Sequence, residues 1–144
     1  MSLDVPLATV SSSEVQQVTE KSTRFNISEM LRSMDPLVWH KVAAVSGMAA
    51  VGLGAYGSHV FKPKNLAYKD VWQTAALYHL IHSAALLSAP MVKHPHIFGG
   101  LLTTGILAFS GTCYLVAVLE DRKYSALAPF GGFAFIAAWG SLLF

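Results

Sequence analysis

Charged residues are scarce in this chain. Asp, Glu, Lys and Arg make up only 12% of its 144 residues, whereas 53% are hydrophobic. A soluble globular domain carries about 25% charged residues. The charges also cluster, so that four stretches contain none: residues 42–61, 71–92, 94–119 and 124–144. A soluble core rarely repeats that pattern four times, and nothing in it points to a nucleic-acid partner.

Cysteine is nearly absent. The one thiol, Cys113, cannot form a disulfide within the chain. The sequence also lacks a Cys-x-x-Cys pair, a phosphate-binding loop and an arrangement of residues typical of a catalytic triad. We therefore expect neither enzymatic activity nor a bound cofactor.

The four uncharged stretches predict four membrane-spanning helices. The hydrocarbon core of a bilayer requires roughly 20 apolar residues of helix, and each stretch is about that long. We place the spans at about 36–61, 70–92, 96–119 and 125–144. Because short connectors make neighbouring helices antiparallel, the predicted fold is all-α, a polytopic membrane protein with an up-down bundle of four transmembrane helices.

The transmembrane domain is predicted to occupy residues 36–144, and residues 1–35 differ from it in composition. They are rich in Ser and Thr and show no persistent period, which predicts a flexible extension. From Ile27 onward, apolar residues recur at i, i+3, i+4 and i+7, on one helix face. The segment 26–34 is therefore either a short amphipathic helix on the membrane surface or a frayed linker.

The orientation in the membrane is not determined by the charges. Basic residues flank both sides of the predicted bundle in nearly equal numbers, whereas the positive-inside rule requires an excess on one side. An even number of spans places both termini on one side, with the 62–69 and 120–124 connectors on the other.

Small residues at four-residue spacing predict where the helices pack. In lipid, helices associate through close backbone approach at small residues and through interhelical hydrogen bonds. A large side chain at Gly54 should therefore push the helices apart. The predicted packing positions are Ser46, Ala50, Gly54 and Ser58 in the first span, Gly100, Thr104, Ala108 and Thr112 in the third, and Gly131 and Gly132 in the fourth.

Two histidines, His79 and His82, interrupt the apolar run YHLIHSAALLSAP. At 1.5 Å per residue they lie roughly 13 and 18 Å inside the second span. Ionisable residues at such depth usually face the bundle interior. They are either hydrogen-bonding groups between helices, a proton relay, or part of a metal or haem site, although His59 lies too near the end of its span to meet them. The candidate intramembrane polar site comprises His79, His82, Tyr56, His59 and Gln73.

The run GLGAYGSH, followed about 20 residues later by YHLIHSAALLSAP and then by APFGG at the start of the last span, resembles the transmembrane protein 256 family. The residues around these motifs are similar to those of the plant members of the family. The resemblance covers about residues 38–144. It implies a small four-span protein with bacterial inner-membrane relatives, and it implies no activity. The motif positions are Gly54, Tyr56, Gly57, His59, His79, His82, Pro129, Gly131 and Gly132.

The expected function is that of a small, non-catalytic integral membrane protein, an accessory or interaction subunit that packs against other membrane proteins. One alternative is a small transport or proton-relay protein that uses His79 and His82. A second alternative is a metal-binding or haem-binding membrane protein. The expected partners are the lipid bilayer and other membrane proteins, and the bacterial relatives favour the mitochondrial inner membrane.

Overall fold

The computed structural model describes residues 11–33 and 35–144. Contacts divide the chain into two units, Met1–Asp35 and Pro36–Phe144. The described residues form helices joined by turns and contain no strand. The all-α prediction is therefore confirmed for this part of the chain.

A 22-residue helix, α1 (Ser12–Ser33), dominates the first unit. It begins with a capping box, in which the backbone N–H of Ser11 donates to Glu14 Oε2 at 3.1 Å. The Ser11 hydroxyl oxygen in turn accepts from the backbone N–H of Ser13 at 3.3 Å. These bonds satisfy backbone donors that a helix N-terminus otherwise leaves without partners.

The helix in this unit is longer than the sequence pattern predicted. A helix was expected only over 26–34, after a flexible segment, and Met34 lies outside the described residues. The polar stretch from Ser12 onward is helical although it lacks apolar periodicity. Its capping box and the Arg24–Glu20 ion pair, 3.0 Å long and one turn apart, are the local interactions that favour the helix.

Helices also make up the second unit. They are α2 (Val38–His59), α3 (Ala67–Leu86), α4 (Pro95–Gly105), α5 (Gly111–Leu119) and α6 (Ala128–Gly140). A π-helical turn, Ile106–Ser110, joins α4 to α5 in one continuous stretch. Short 3₁₀ turns cover Ala89–Met91, Arg122–Leu127 and Ser141–Leu143. Proline stands in the first turn of α4 and of α6, where no N–H is needed.

Two helical stretches of the described chain are long and apolar enough to cross a membrane, namely Pro95–Leu119 with 25 residues and Arg122–Leu143 with 22. The first and second predicted spans correspond to α2 and α3, which are less apolar because α2 is rich in glycine and α3 carries polar side chains. The second span was predicted to reach residue 92, but α3 ends at Leu86 and Pro90 lies in the 3₁₀ turn that follows. Proline disfavours a helical conformation in the residue before it.

Glu120 joins two connectors of the second unit. It ends α5 with a left-handed backbone, φ 50°, an uncommon conformation for a residue with a side chain. Its carboxylate accepts hydrogen bonds from the backbone N–H groups of Lys64 at 2.9 Å and Asn65 at 3.2 Å. The connector before α3 and the one after α5 are therefore held against each other.

Polar contacts also join segments near the start of α2 and the end of α3. His40 Nε2 donates to the carbonyl oxygen of Leu87 at 3.0 Å. In the loop after α3, Lys93 Nζ donates to the backbone oxygen of Phe144 at 2.7 Å. The beginning of α2 thus meets the end of α3, as in an antiparallel pair, and the C-terminal residue lies beside the following loop.

The contact between α2 and α3 depends on close backbone approach. A Cβ atom added at Gly57 would overlap the Trp72 ring, so only glycine leaves room for it. The indole N–H of Trp72 donates to the carbonyl oxygen of Leu53 at 2.9 Å. The main apolar core of the unit consists of Ala43, Leu86, Ala89, Phe98, Leu102, Ile106, Phe135 and Ala138.

The predicted row of small residues in α2 follows this contact only in part. Ser46 and Ala50 face α3, but a Cβ added at Gly54 meets no atom within 4 Å, and Ser58 is exposed. Four residues advance the helix by about 40° more than one full turn, so a row at this spacing rotates out of the interface. The contact continues through Gly57 instead, and the expectation for Gly54 within the chain is corrected.

The predicted row in the third span is also packed only in part. A Cβ added at Gly100 meets no atom within 4 Å, and Thr104 is exposed, whereas Thr112 is buried. Gly100 and Thr104 are therefore not positions of close helix approach within the chain.

The glycine pair at the start of α6 contains one position of close approach. A Cβ added at Gly131 would overlap the backbone of Ala108 and Phe109, and the next residue, Gly132, has its nearest neighbour at 4.0 Å. The contact between α6 and the π turn therefore requires glycine at position 131 and leaves space at position 132.

Candidate functional site

The two histidines of α3 are buried but have different neighbours. His79 is 7% exposed and His82 is 6% exposed. The ring of His79 contacts side chains of α2 and α5, and the ring of His82 contacts α6. They are neighbours on one helix that take part in two separate sets of interactions.

The hydrogen bonds around His79 determine where its proton lies. The Ser83 hydroxyl donates to the His79 carbonyl oxygen at 2.7 Å, so Ser46 Oγ, 2.6 Å from Ser83 Oγ, must be the donor in that pair. Ser46 Oγ therefore accepts from His79 Nε2 at 3.1 Å. The remaining nitrogen, His79 Nδ1, lies 3.4 Å from the Tyr114 hydroxyl, from which it accepts a hydrogen bond when the ring is neutral. The ring is thus protonated on Nε2.

These successive hydrogen bonds form a chain that ends within the protein. It starts at the Tyr114 hydroxyl, passes through the His79 ring and both serines, and stops at the carbonyl oxygen of His79. A carbonyl has no proton to pass on. Satisfied buried networks of this kind make the packing specific, and the connectivity fits that role better than a path for protons.

The interactions of His82 require a neutral ring. The carbonyl oxygen of Tyr78, 2.7 Å from Nδ1, can only accept a hydrogen bond, so Nδ1 is protonated. The indole N–H of Trp139 can only donate, so Nε2, at 3.3 Å, must accept. The ring also stacks on Phe135, with centroids 3.5 Å apart and planes inclined by 13°.

The other residues of the predicted polar site lie elsewhere. Tyr56 is partly exposed and packs against Trp72, with ring centroids 5.4 Å apart. His59 is exposed at the end of α2, and Gln73 is exposed on α3. Among the described residues no group of three or more His, Cys, Asp or Glu side chains could hold a metal ion.

A cavity of about 590 Å³ lies between α2 and the continuous stretch from α4 to α5. Its walls are mainly apolar and include Val45 and Leu107, and the His79 and Tyr114 side chains line it on one side. Ser110, in the π turn, also lines it. That serine is fully buried, and its hydroxyl has no hydrogen-bond partner.

The sequence is similar to known membrane proteins over about two thirds of its length or more. A UPF0382 membrane protein of Staphylococcus saprophyticus is 36% identical over 104 residues, which are 68% of this chain and 87% of the relative. YwdK of Bacillus subtilis is 34% identical over 106 residues, 68% of this chain and 86% of the relative. A UPF0382 membrane protein of Schizosaccharomyces pombe is 34% identical over 116 residues, 74% of this chain and 98% of the relative.

The family described as "Protein of unknown function (DUF423)" matches residues 53–132. The chain belongs to the DUF423 family. This confirms the predicted membership of a membrane-protein family without an assigned function, and the names of the relatives support a location in a membrane. No solved structure matches the DUF423 protein.

Several residues of the buried site in this DUF423 protein were not recognised from the sequence. Phe135 and Trp139 are four residues apart, a spacing that places them on one face of α6, and this spacing is the signal that could have linked them. Tyr114 and Ser110 carry no comparable signal, because their positions depend on the π turn.

Proposed function

We propose that this DUF423 protein is a four-span up-down bundle that acts without catalysis, as an accessory subunit packing against other membrane proteins. The observation that carries the proposal is a face of small residues on α2 against which none of the residues described in the structure packs closely. Membrane helices use such faces for close association.

The lengths and surfaces of α2 and α3 support four spans rather than two. With 22 and 20 residues, these helices are about 33 and 30 Å long, close to the roughly 30 Å of a bilayer core. Both expose large apolar side chains, which lipid can cover. Examples are Val45, Met48, Leu77, Leu80 and Ile81. The contacts at the helix ends described above also support an antiparallel order.

The small-residue face of α2 lies away from α3. Its members fall within about 100° of one another around the helix at 100° per residue, and the exposed side chain of Val51 lies among them. A Cβ added at Gly47 or at Gly54 meets no atom within 4 Å. Glycine inside a helix lowers the stability of the helix by about 1 kcal/mol relative to alanine. The packing of the described residues does not require glycine at these two positions. The face comprises Ala44, Gly47, Gly54, Ala55 and Ser58.

The state of the two buried histidines supports a non-catalytic role. Each ring uses both of its nitrogens in hydrogen bonds within the chain. A general base needs a nitrogen within reach of a substrate proton, and neither ring offers one in this arrangement. We infer that the rings stabilise the helix contacts.

We also infer that the protein resides in the mitochondrial inner membrane. The support is that its bacterial relatives are named membrane proteins, and that the mitochondrial inner membrane is the organellar counterpart of the bacterial cytoplasmic membrane. Fractionation of the native tissue tests this placement. The protein should stay with inner-membrane markers after the outer membrane is disrupted, and enrichment in another membrane would contradict it.

A matched pair of substitutions on α2 tests the proposed packing role. Gly54→Leu should leave the fold intact and abolish association, because position 54 has space inside the chain and lies on the small-residue face. Gly57→Leu should instead disrupt the fold, because its side chain would overlap Trp72. Thermal unfolding in mild detergent separates these effects, and native mass spectrometry of the purified complex measures association.

Site-specific crosslinking identifies the surface involved. A photoreactive amino acid at Ala55, on the small-residue face, should yield one discrete adduct with another membrane protein in native membranes. The same amino acid at Ile136, an exposed position of α6, serves as the control and should give mainly lipid adducts. Equal patterns at both positions, or association that survives Gly54→Leu, would show that this face is not the binding surface.

A further inference from the structure

We propose that the cavity between α2 and the α4–α5 stretch binds a membrane-dissolved ketone, a largely apolar molecule whose carbonyl oxygen accepts a hydrogen bond from Ser110. This is a binding site for a small molecule, separate from the small-residue face on α2 and independent of the accessory role.

The size of the cavity fits a small molecule. Its volume is about 590 Å³, within the range of about 300–1,000 Å³ of small-molecule sites. The apolar walls match a ligand that reaches the site from the lipid.

The Ser110 hydroxyl lacks the partner that other hydroxyl groups of these helices have. Ser58, Ser83 and Thr103 each donate to the carbonyl oxygen four residues earlier. For Ser110 that acceptor would be Ile106 O, but the Ser110 hydroxyl makes no such bond, and Ile106 O accepts the backbone N–H of Gly111 across the π turn. A fully buried hydroxyl without a partner is destabilising, and π turns frequently mark functional sites.

The chemistry of the other lining groups selects an acceptor on the ligand. Ser46, His79 and Tyr114 use their protons in the network described above, and Thr103 donates to Gly99 O. Lys41 lies near the start of α2, where its long side chain can reach the lipid headgroups. Among the described groups lining the cavity below that level, the Ser110 O–H is the donor without an acceptor, so the ligand must bring a hydrogen-bond acceptor, which a ketone oxygen supplies.

Photolabelling of the purified protein with benzophenone tests the site. Benzophenone is apolar, has one ketone oxygen and crosslinks to nearby C–H groups on irradiation. Peptide mapping should find adducts on the cavity walls, and Ala49→Phe, which places a ring in the cavity, should abolish them. Unfolding curves and gel filtration of each variant confirm that the fold is retained.

Competition measures whether the oxygen is recognised. Dicyclohexyl ketone and dicyclohexylmethane have the same rings, and only the ketone has an acceptor. In the wild type the ketone should block labelling at about fivefold lower concentration, the effect of about one neutral hydrogen bond. Ser110→Ala should make the two competitors equal, whereas the control Ser141→Ala should keep the fivefold difference. If the Ser110→Ala protein does not fold, Ser110→Cys replaces it, because the thiol is a weaker hydrogen-bond donor than the hydroxyl.

Three results would overturn the proposal. Equal potency of both competitors on the wild type would mean that the cavity takes any apolar molecule, including lipid chains. Absence of cavity adducts on the folded wild type would mean that no such molecule binds. In native membranes, crosslinks from the cavity walls to another polypeptide would identify a protein as the occupant. Loss of the accessory role in the tests above would change none of these measurements.

Discussion

Substitution of His82 by leucine, phenylalanine and glutamine separates the interactions that hold its ring. Hydrogen bonds between membrane helices contribute about 0.6 kcal/mol on average, and aromatic stacking contributes about 0.5–1.5 kcal/mol. His82→Phe keeps the stacking on Phe135 and loses the hydrogen bonds with Trp139 and with the Tyr78 carbonyl oxygen, so it should cost about 1 kcal/mol. His82→Gln can keep the bond from Trp139 and loses the stacking. His82→Leu loses the stacking and both hydrogen bonds, about 2–3 kcal/mol in total.

Reversible unfolding by SDS in mixed micelles, followed by circular dichroism, measures these differences. The hydrogen bond is isolated by a double-mutant cycle of His82→Phe with Trp139→Phe, which should give a coupling of about 0.6 kcal/mol. His82→Phe with Trp72→Phe is the control pair and should be additive, because Trp72 packs in a different aromatic cluster. A His82→Leu protein as stable as the wild type, or no coupling with Trp139, would refute the assigned role.

The same glutamine variant tests the proton-relay alternative. Glutamine cannot take up and release a proton near neutral pH, whereas histidine can. We expect that neither wild type nor His82→Gln dissipates a proton gradient across liposomes that contain a pH dye. Conduction by the wild type that His82→Gln abolishes would establish the relay and contradict the structural role.

The remaining predictions concern connectors, close contacts and topology. Glu120→Ala should lower the free energy of unfolding by about 1 kcal/mol through lost hydrogen bonds. Glu120→Gly should lower it less, since glycine adopts the left-handed backbone of this position without strain. Equal losses for the two variants would argue against backbone strain at Glu120. Gly131→Leu should destabilise the fold strongly and Gly132→Leu only slightly, and chemical unfolding would reveal a reversed order. Cysteine labelling in sealed vesicles should find the 62–69 and 120–124 connectors on one side and both termini on the other, and labelling of the termini on opposite sides would exclude an even number of spans.

Helix periodicity explains which packing positions could be predicted in α2. Small residues indicated a packed face, and Ser46 and Ala50 are on it. The sequence does not reveal how far a row at four-residue spacing stays in contact, because this depends on how the neighbouring helix crosses. The partner of Gly57 is an indole brought from α3, so its requirement for glycine is visible only in three dimensions.

The sequence predicted that His79 and His82 face the interior of the bundle, and both are buried in the structure. It did not predict which helices surround each ring. The 60° between them is enough to give them different neighbours, which depend on the placement of α2, α5 and α6.

In the first unit, the Ser11–Glu14 capping box was a local signal available from the sequence, and it marks the start of the helix more reliably than apolar periodicity does.

The π turn at Ile106–Ser110 allows the α4–α5 stretch to lose one residue at this turn while the helices on both sides keep their register. A π turn closes over five residues where an α turn closes over four, so it contains one residue more. Deletion of Leu107, which is exposed, can convert the turn to α-helix while both flanks keep their register. Gly105 would still meet Phe135, and Tyr114 would still reach His79. A deletion elsewhere in the stretch would rotate all later side chains by about 100°, so homologues one residue shorter are expected to have their gap here.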